Sequence, residues 1–184
     1  MNTWHRLIPF SFIGINLFIY QPTQAKFVDC SKPTQKPSQF DRNIVLDKFG
    51  ISMKIPANYR AISMADGTVD IVDGGTYEEF VCRAKNPGAG GEGYYSITVY
   101  ESKASYLYEG VWDKVPKKEN MYIIWEKKST GQDGLYFNYL NLRIKTKKGL
   151  VEIYAGDEQT PVHEDDVKAA LEEILKIAEK TEIL

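Results

Sequence analysis

The sequence predicts an α+β domain in which an antiparallel β-sheet of about 6–8 strands is packed by a C-terminal α-helix. Three features predict it. From Asn43 onward, short runs rich in β-branched and aromatic residues alternate with turn signals, the pattern of strands rather than helices. Asp66-Gly67 stands between two such runs, and that dipeptide is a strong hairpin signal because both residues tolerate a positive φ. Near the C-terminus Val167, Ala170, Leu171, Ile174 and Ala178 recur at three- and four-residue steps, an apolar stripe that must cover one face of the sheet.

Taken in order, residues 44–46 and 51–55 form a first hairpin, stopped by Pro56. Residues 59–64 and 68–72 flank Asp66-Gly67 as a second. After a break at Gly74-Gly75, residues 76–84 are expected as a strand with Cys82 on the same face as Phe80. A glycine-rich loop precedes residues 94–101. There, alternation sends Tyr95, Ile97 and Val99 to one face and Tyr94, Ser96, Thr98 and Tyr100 to the other, one of these being core. Residues 104–114 read as a short helix or as an ordered aromatic loop carrying Tyr106, Tyr108 and Trp112. Residues 121–127, 135–145 and 150–154 make a meander with turns at 131–134 and 147–149. The final helix starts at a Thr160 N-cap with Pro161 in the first turn, and Glu164, Asp165 and Asp166 place negative charge at the positive end of its dipole.

Three segments organise the chain of 184 residues. His5 and Arg6 give a positive start, residues 7–20 are apolar apart from Pro9, Ser11, Gly14 and Asn16, and Thr23-Gln24-Ala25 ends in small residues. Residues 1–25 therefore read as a cleaved signal peptide, a retained anchor being the competing reading. The apolar stretch falls short of the roughly 20 residues a membrane span needs. Residues 26–42 are a polar, proline-bearing lead, expected to be extended, and 43–184 form a single α+β domain. Export implies a secreted, periplasmic or thylakoid-lumen protein with no membrane span after cleavage.

Charge narrows the partners. Net charge is −2 from 23 basic and 25 acidic residues, which opposes the basic footprint of a nucleic-acid binder. Cleavage removes Arg6, leaving 22 basic against 25 acidic residues, or −3. Two cysteines in an oxidising compartment favour a Cys30–Cys82 disulfide. A redox-active or metal-bound thiol pair lacks both a C-x-x-C spacing and a nearby histidine.

Chemistry-bearing patterns are sparse. Gly88-Ala-Gly90-Gly-Glu-Gly93 matches G-x-G-x-x-G, but a strand is expected after it where dinucleotide binding needs a helix, so it reads as a hairpin loop. Asp66, Asp70, Asp73, Glu78 and Glu79 read as turn and solvated-edge residues, with calcium binding and acid–base catalysis as competing readings; in a strand Asp70 points opposite to Asp73. His163, the only histidine after cleavage, falls in the first turn of the final helix, which disfavours nucleophilic catalysis and zinc. No cofactor or metal is expected. The aromatics point elsewhere: Tyr94, Tyr100, Tyr106, Tyr108 and Trp112 are candidate binding residues, able to anchor a protein partner or to stack on sugars.

Gly50-Ile-Ser-Met-Lys-Ile-Pro-Ala-Asn-Tyr59, the meander and the final amphipathic helix resemble the PsbP-like superfamily of secreted or lumenal α/β/α sandwich domains, over most of residues 43–184. Tyr59 stands where a tryptophan is more usual, and the family's central helix is short or missing in the pattern. Ile55-Pro-Ala-Asn-Tyr-Arg60 with Gly75-Thr-Tyr-Glu78 and Cys82 also looks like a group of uncharacterised secreted cyanobacterial proteins. The resemblance implies a non-enzymatic binding or assembly-accessory domain whose partner is an envelope or lumenal protein. A carbohydrate or cell-surface binding module and a carboxylate-dependent hydrolase are the alternatives.

Overall fold

The computed structural model describes residues 28–90, 94–108, 110–129, 136–156 and 166–184. The expected signal peptide, the 131–134 turn, the Thr160-Pro161 helix start and His163 lie outside the described residues. Two antiparallel sheets carry the fold. Strands β1 (Asp41–Leu46) and β2 (Ile51–Pro56) pair as the first hairpin, and β10 (Thr181–Ile183) joins the other side of β2 to make a three-stranded sheet. The second sheet has seven strands in the order β3 (Arg60–Ser63), β4 (Val69–Val72), β5 (Ser96–Glu101), β9 (Gly149–Gly156), β8 (Tyr136–Thr146), β7 (Met121–Ser129) and β6 (Val111–Lys114). Gly67, at φ +88°, makes the β3–β4 turn, where only glycine reaches that conformation without strain.

Alternation divides the large sheet. Ile71, Val99, Ile153, Leu142, Ile144 and Ile123 point to one face and are almost completely buried. Against them pack Ile51, Met53 and Ile55 of β2 and Ile174, Ile177 and Ala178 of helix α2 (Val167–Glu179), forming one core. The stripe read from the sequence is thus the packed side of α2. Ile97 and Val99 take the core face, and Ser96, Thr98 and Tyr100 the other, as alternation requires.

Two segments depart from expectation. Residues 76–84 lie in a helix, α1 (Gly74–Lys85), instead of a strand. Asp73 is its N-cap: the carboxylate accepts from the Gly75 and Thr76 amides at 2.8 and 3.3 Å and from the Thr76 hydroxyl at 2.7 Å. Gly74-Gly75 is therefore the first turn of a helix that Glu79–Arg83 spans as an i,i+4 ion pair. Cys82 and Phe80, two residues apart, do not share a helix face. Of residues 104–114, the described part of 104–110 is a loop rather than a helix, with Gly110 at φ +67°, and Val111–Lys114 forms an edge strand that neither reading included, β6, paired with β7 through a bulge.

The lead is strapped down. Cys30 is fully buried in a disulfide to Cys82, with a Cα–Cα distance of 5.7 Å. Asp29 bridges Gly90, the Gln35 amide donates to Asp73, and the Ser38 amide donates to Asn58. Among the described residues, no helix is long and apolar enough to cross a membrane.

Candidate functional site

The face of the large sheet turned away from the core bears a groove of about 1000 Å³, at the upper end of the range usual for small-molecule sites. Strands β5, β8 and β9 form its floor, and Lys103, Ala104 and Gly110 of the stretch after β5, with the β3–β4 turn, contribute its rim. In-register pairing builds that floor. Thr98 of β5 faces Tyr154 of β9, which faces Asn141 of β8; one pleat along, Tyr100 faces Glu152, which faces Arg143. The same alternation that sends Val99, Ile153 and Leu142 into the core sends these six to the groove.

The floor is a buried hydrogen-bond network centred on Glu152. Arg143 places Nε at 2.7 Å and Nη2 at 2.6 Å from Glu152 Oε1, with both side chains almost wholly shielded from solvent. Ser102 Oγ donates to the same oxygen at 2.6 Å, and the Tyr100 hydroxyl donates to Oε2 at 3.0 Å. Asn141 Nδ2 donates to the Tyr100 oxygen at 3.0 Å and reaches Glu152 Oε2 at 3.4 Å. Buried charges persist only when paired and hydrogen-bonded in this way. One atom is left over: Asn141 Oδ1 is buried and accepts from no group.

A second cluster lies beside it. Asp70 of β4, 5% exposed, accepts from the Thr98 hydroxyl at 2.7 Å and the Tyr94 hydroxyl at 3.1 Å. Asp70 is thus neither a turn nor a solvated-edge residue, contrary to the sequence expectation, because β4 is an inner strand. Asp66 does hold its turn, accepting from the Thr68 amide and hydroxyl, and the Thr68 amide bond foremost keeps its carboxyl below the usual range. Burial raises the Asp73 carboxyl, but the hydrogen bonds from Thr76, Gln35 and Gly75 together outweigh it and hold the group low. Glu79 is buried and paired with Arg83; Glu78 is exposed.

The candidate aromatics do not form one platform. Tyr100 lines the groove, and Tyr94 stacks edge-on against Phe80 at 4.8 Å. Tyr106 and Tyr108 are more than half exposed on the stretch after β5, Tyr108 packing edge-on against Tyr122 at 5.2 Å. The Tyr108 hydroxyl, hydrogen-bonded to that of Tyr122, raises the Tyr122 pKa. Trp112 leans instead on Trp125, 5.0 Å away, and Trp125 packs against the core. Tyr95, on the core side of β5, donates to Glu173 of α2, and burial, then that bond, push its pKa up. Sequence reasoning passed over Asn141, Arg143 and Glu152. Their signal was polar residues alternating with leucine and isoleucine inside long strands.

Of the Gly88–Gly93 motif, residues 91–93 lie outside the described residues; α1 rather than a strand precedes it and β5 follows. Among the described residues, no cluster of three histidine, cysteine or acidic side chains is arranged to hold a metal ion. The chain matches no family model, no curated protein and no solved structure.

Proposed function

We propose that this is a non-enzymatic binding domain that works outside the cytoplasm and takes its ligand in the groove on the polar face of the large sheet. The observation that carries the proposal is the engagement of the groove's buried carboxylate: Glu152 receives Arg143, Ser102 and Tyr100 at 3.0 Å or less, a structural role that holds both of its oxygens in the floor. A carboxylate-dependent hydrolase would need a carboxyl free to exchange protons with its substrate. The disulfide supports an oxidising compartment, secreted, periplasmic or lumenal, and with it the reading of residues 1–25 as a signal peptide.

The exposed large hydrophobic side chains, Phe40, Val45, Tyr106, Tyr108 and Trp112 among them, are dispersed over the lead, β1, the stretch after β5 and β6. A groove therefore accounts for recognition better than a flat apolar patch does. The second reading is an assembly-accessory role beside an envelope or lumenal protein. It is favoured by the exposed Tyr106 and Tyr108 and by the resemblance to PsbP-like sandwiches, to which α2 would contribute a helical layer.

Hydrogen–deuterium exchange before and after incubation with a soluble envelope extract tests the proposal. Added protection in 96–104, 139–145 and 150–156 supports it. Protection confined to α2 and the three-stranded sheet, or extract polymers cleaved in proportion to protein added, contradicts it.

A further inference from the structure

Resting on that reading of the groove, we infer that its ligand is neutral and rich in hydroxyl groups, a sugar chain of more than one ring. The charge lining the groove balances: Lys48, Lys103 and Arg143 against Asp66, Glu101 and Glu152. Most of it is also internally committed. Arg143 is bound to Glu152, Lys48 lies 3.8 Å from Glu101 and donates to the Gly67 carbonyl, and Asp66 is held by Thr68. An anionic ligand would meet Glu101 and Asp66 at the rim, where Lys48 is already engaged by Glu101 and Arg143 by Glu152. An apolar ligand would leave the buried Asn141 Oδ1 acceptor of the floor unsatisfied.

Two features select hydroxyls. Asn141 Oδ1, at the groove floor, has no donor, and a buried acceptor in that state costs about 1–3 kcal/mol. The terminal torsion of asparagine is soft, so a small rotation turns the oxygen toward an incoming O–H. Tyr100, Tyr139 and Tyr154 line the groove, with the rings of Tyr139 and Tyr154 edge-on at 5.9 Å. Tyrosine offers an apolar face and a polar tip, which matches a pyranose ring carrying C–H groups on its faces and hydroxyls at its edge.

Isothermal titration of the full-length mature protein with neutral tetra- to hexasaccharides, linear glucans and N-acetylated chito-oligosaccharides, provides the test, with sulfated and uronic-acid oligosaccharides of the same length as charged probes. At least one neutral series is expected to bind, with an affinity that changes less than about twofold when salt is raised tenfold, since no net charge is neutralised. Tyr139→Ala, at the half-buried edge of the groove, should weaken it by about tenfold or more with the melting temperature held, while Glu172→Ala on α2 leaves it unchanged. Asn141→Leu should abolish it. Should that variant misfold, the Tyr139→Ala result decides. Binding only of the charged probes, falling steeply with salt, overturns the ligand class while leaving the groove as a binding site. If no saccharide of either kind binds, the inference fails outright, and exchange protection by envelope extract then judges the groove separately.

Discussion

Neutralising one partner of the Arg143–Glu152 pair should destabilise the fold far more than an ordinary ion pair would. The two side chains are 3% and 4% exposed and meet at 2.6 Å, so removing either leaves the other charged and buried. That situation costs about 3–5 kcal/mol. The two substitutions are not equivalent. Arg143→Ala leaves Glu152 with donors from Ser102, Tyr100 and Asn141, which places it at the lower end. Glu152→Ala removes the guanidinium's anionic partner and also deprives those donors of their acceptor, each neutral hydrogen bond being worth about 1 kcal/mol, which places it at the upper end. Against a total stability of roughly 5–15 kcal/mol, either variant sits close to unfolding. Urea denaturation followed by circular dichroism gives the free energies, and the singles Arg143→Met and Glu152→Leu, with the variant that combines them, make the cycle. The combined variant should lose at least about 2 kcal/mol less than the sum of the singles, because a paired buried charge and its apolar replacement are nearly equivalent. That coupling should persist in high salt, which screens exposed charges but not buried ones. Two single variants each costing under about 1 kcal/mol and adding simply would show a solvated pair and refute the reasoning.

Other perturbations follow from the same geometry. Reducing the disulfide, which closes a 52-residue separation, should lower stability by about 4 kcal/mol through the freed unfolded chain, read as a drop in melting temperature with dithiothreitol. A shift of under 1 °C would contradict it. Ile174→Ala, at a fully buried position of α2, should cost about 2–5 kcal/mol, whereas exposed Glu172→Ala should stay within about 0.5 kcal/mol in the same urea assay. Asp73→Ala should cost about 1–2 kcal/mol by uncapping α1. Because the folded Asp73 pKa is depressed, its contribution is present above the unfolded value near 4 and is lost as pH falls through the lower folded value. Asp73→Asn should therefore flatten the acid limb of the stability profile, and an unchanged limb would remove Asp73 from that account.

Local chemistry made much of this legible in the sequence. Asp66-Gly67 dictates its own turn, the Ile174 stripe needs only helical periodicity, and two cysteines have one intramolecular pairing available. Helix α1 was hidden because Gly74-Gly75 looks like a break unless Asp73 is seen as the cap that satisfies the glycine-turn amides. Strand β10 followed a helix so closely that only its pairing with β2 distinguishes it from a frayed end. The groove was the least legible part. Asn141, Arg143 and Glu152 each look like a solvent-facing residue of an amphipathic strand. Only the register of β5, β9 and β8 brings them together, and register is set by tertiary packing rather than by any residue's neighbours in sequence.

The central claim, that the groove binds without turning its ligand over, is met most directly by a nitrogen–proton NMR titration of the protein with a neutral hexasaccharide of the series that binds in calorimetry. The account predicts shift changes concentrated at Thr98, Tyr100, the Asn141 side-chain amide, Arg143 and Glu152, with the sugar's anomeric signals unaltered after prolonged incubation. Changes concentrated on α2 or the three-stranded sheet, or new reducing-end signals that grow with time, would contradict it.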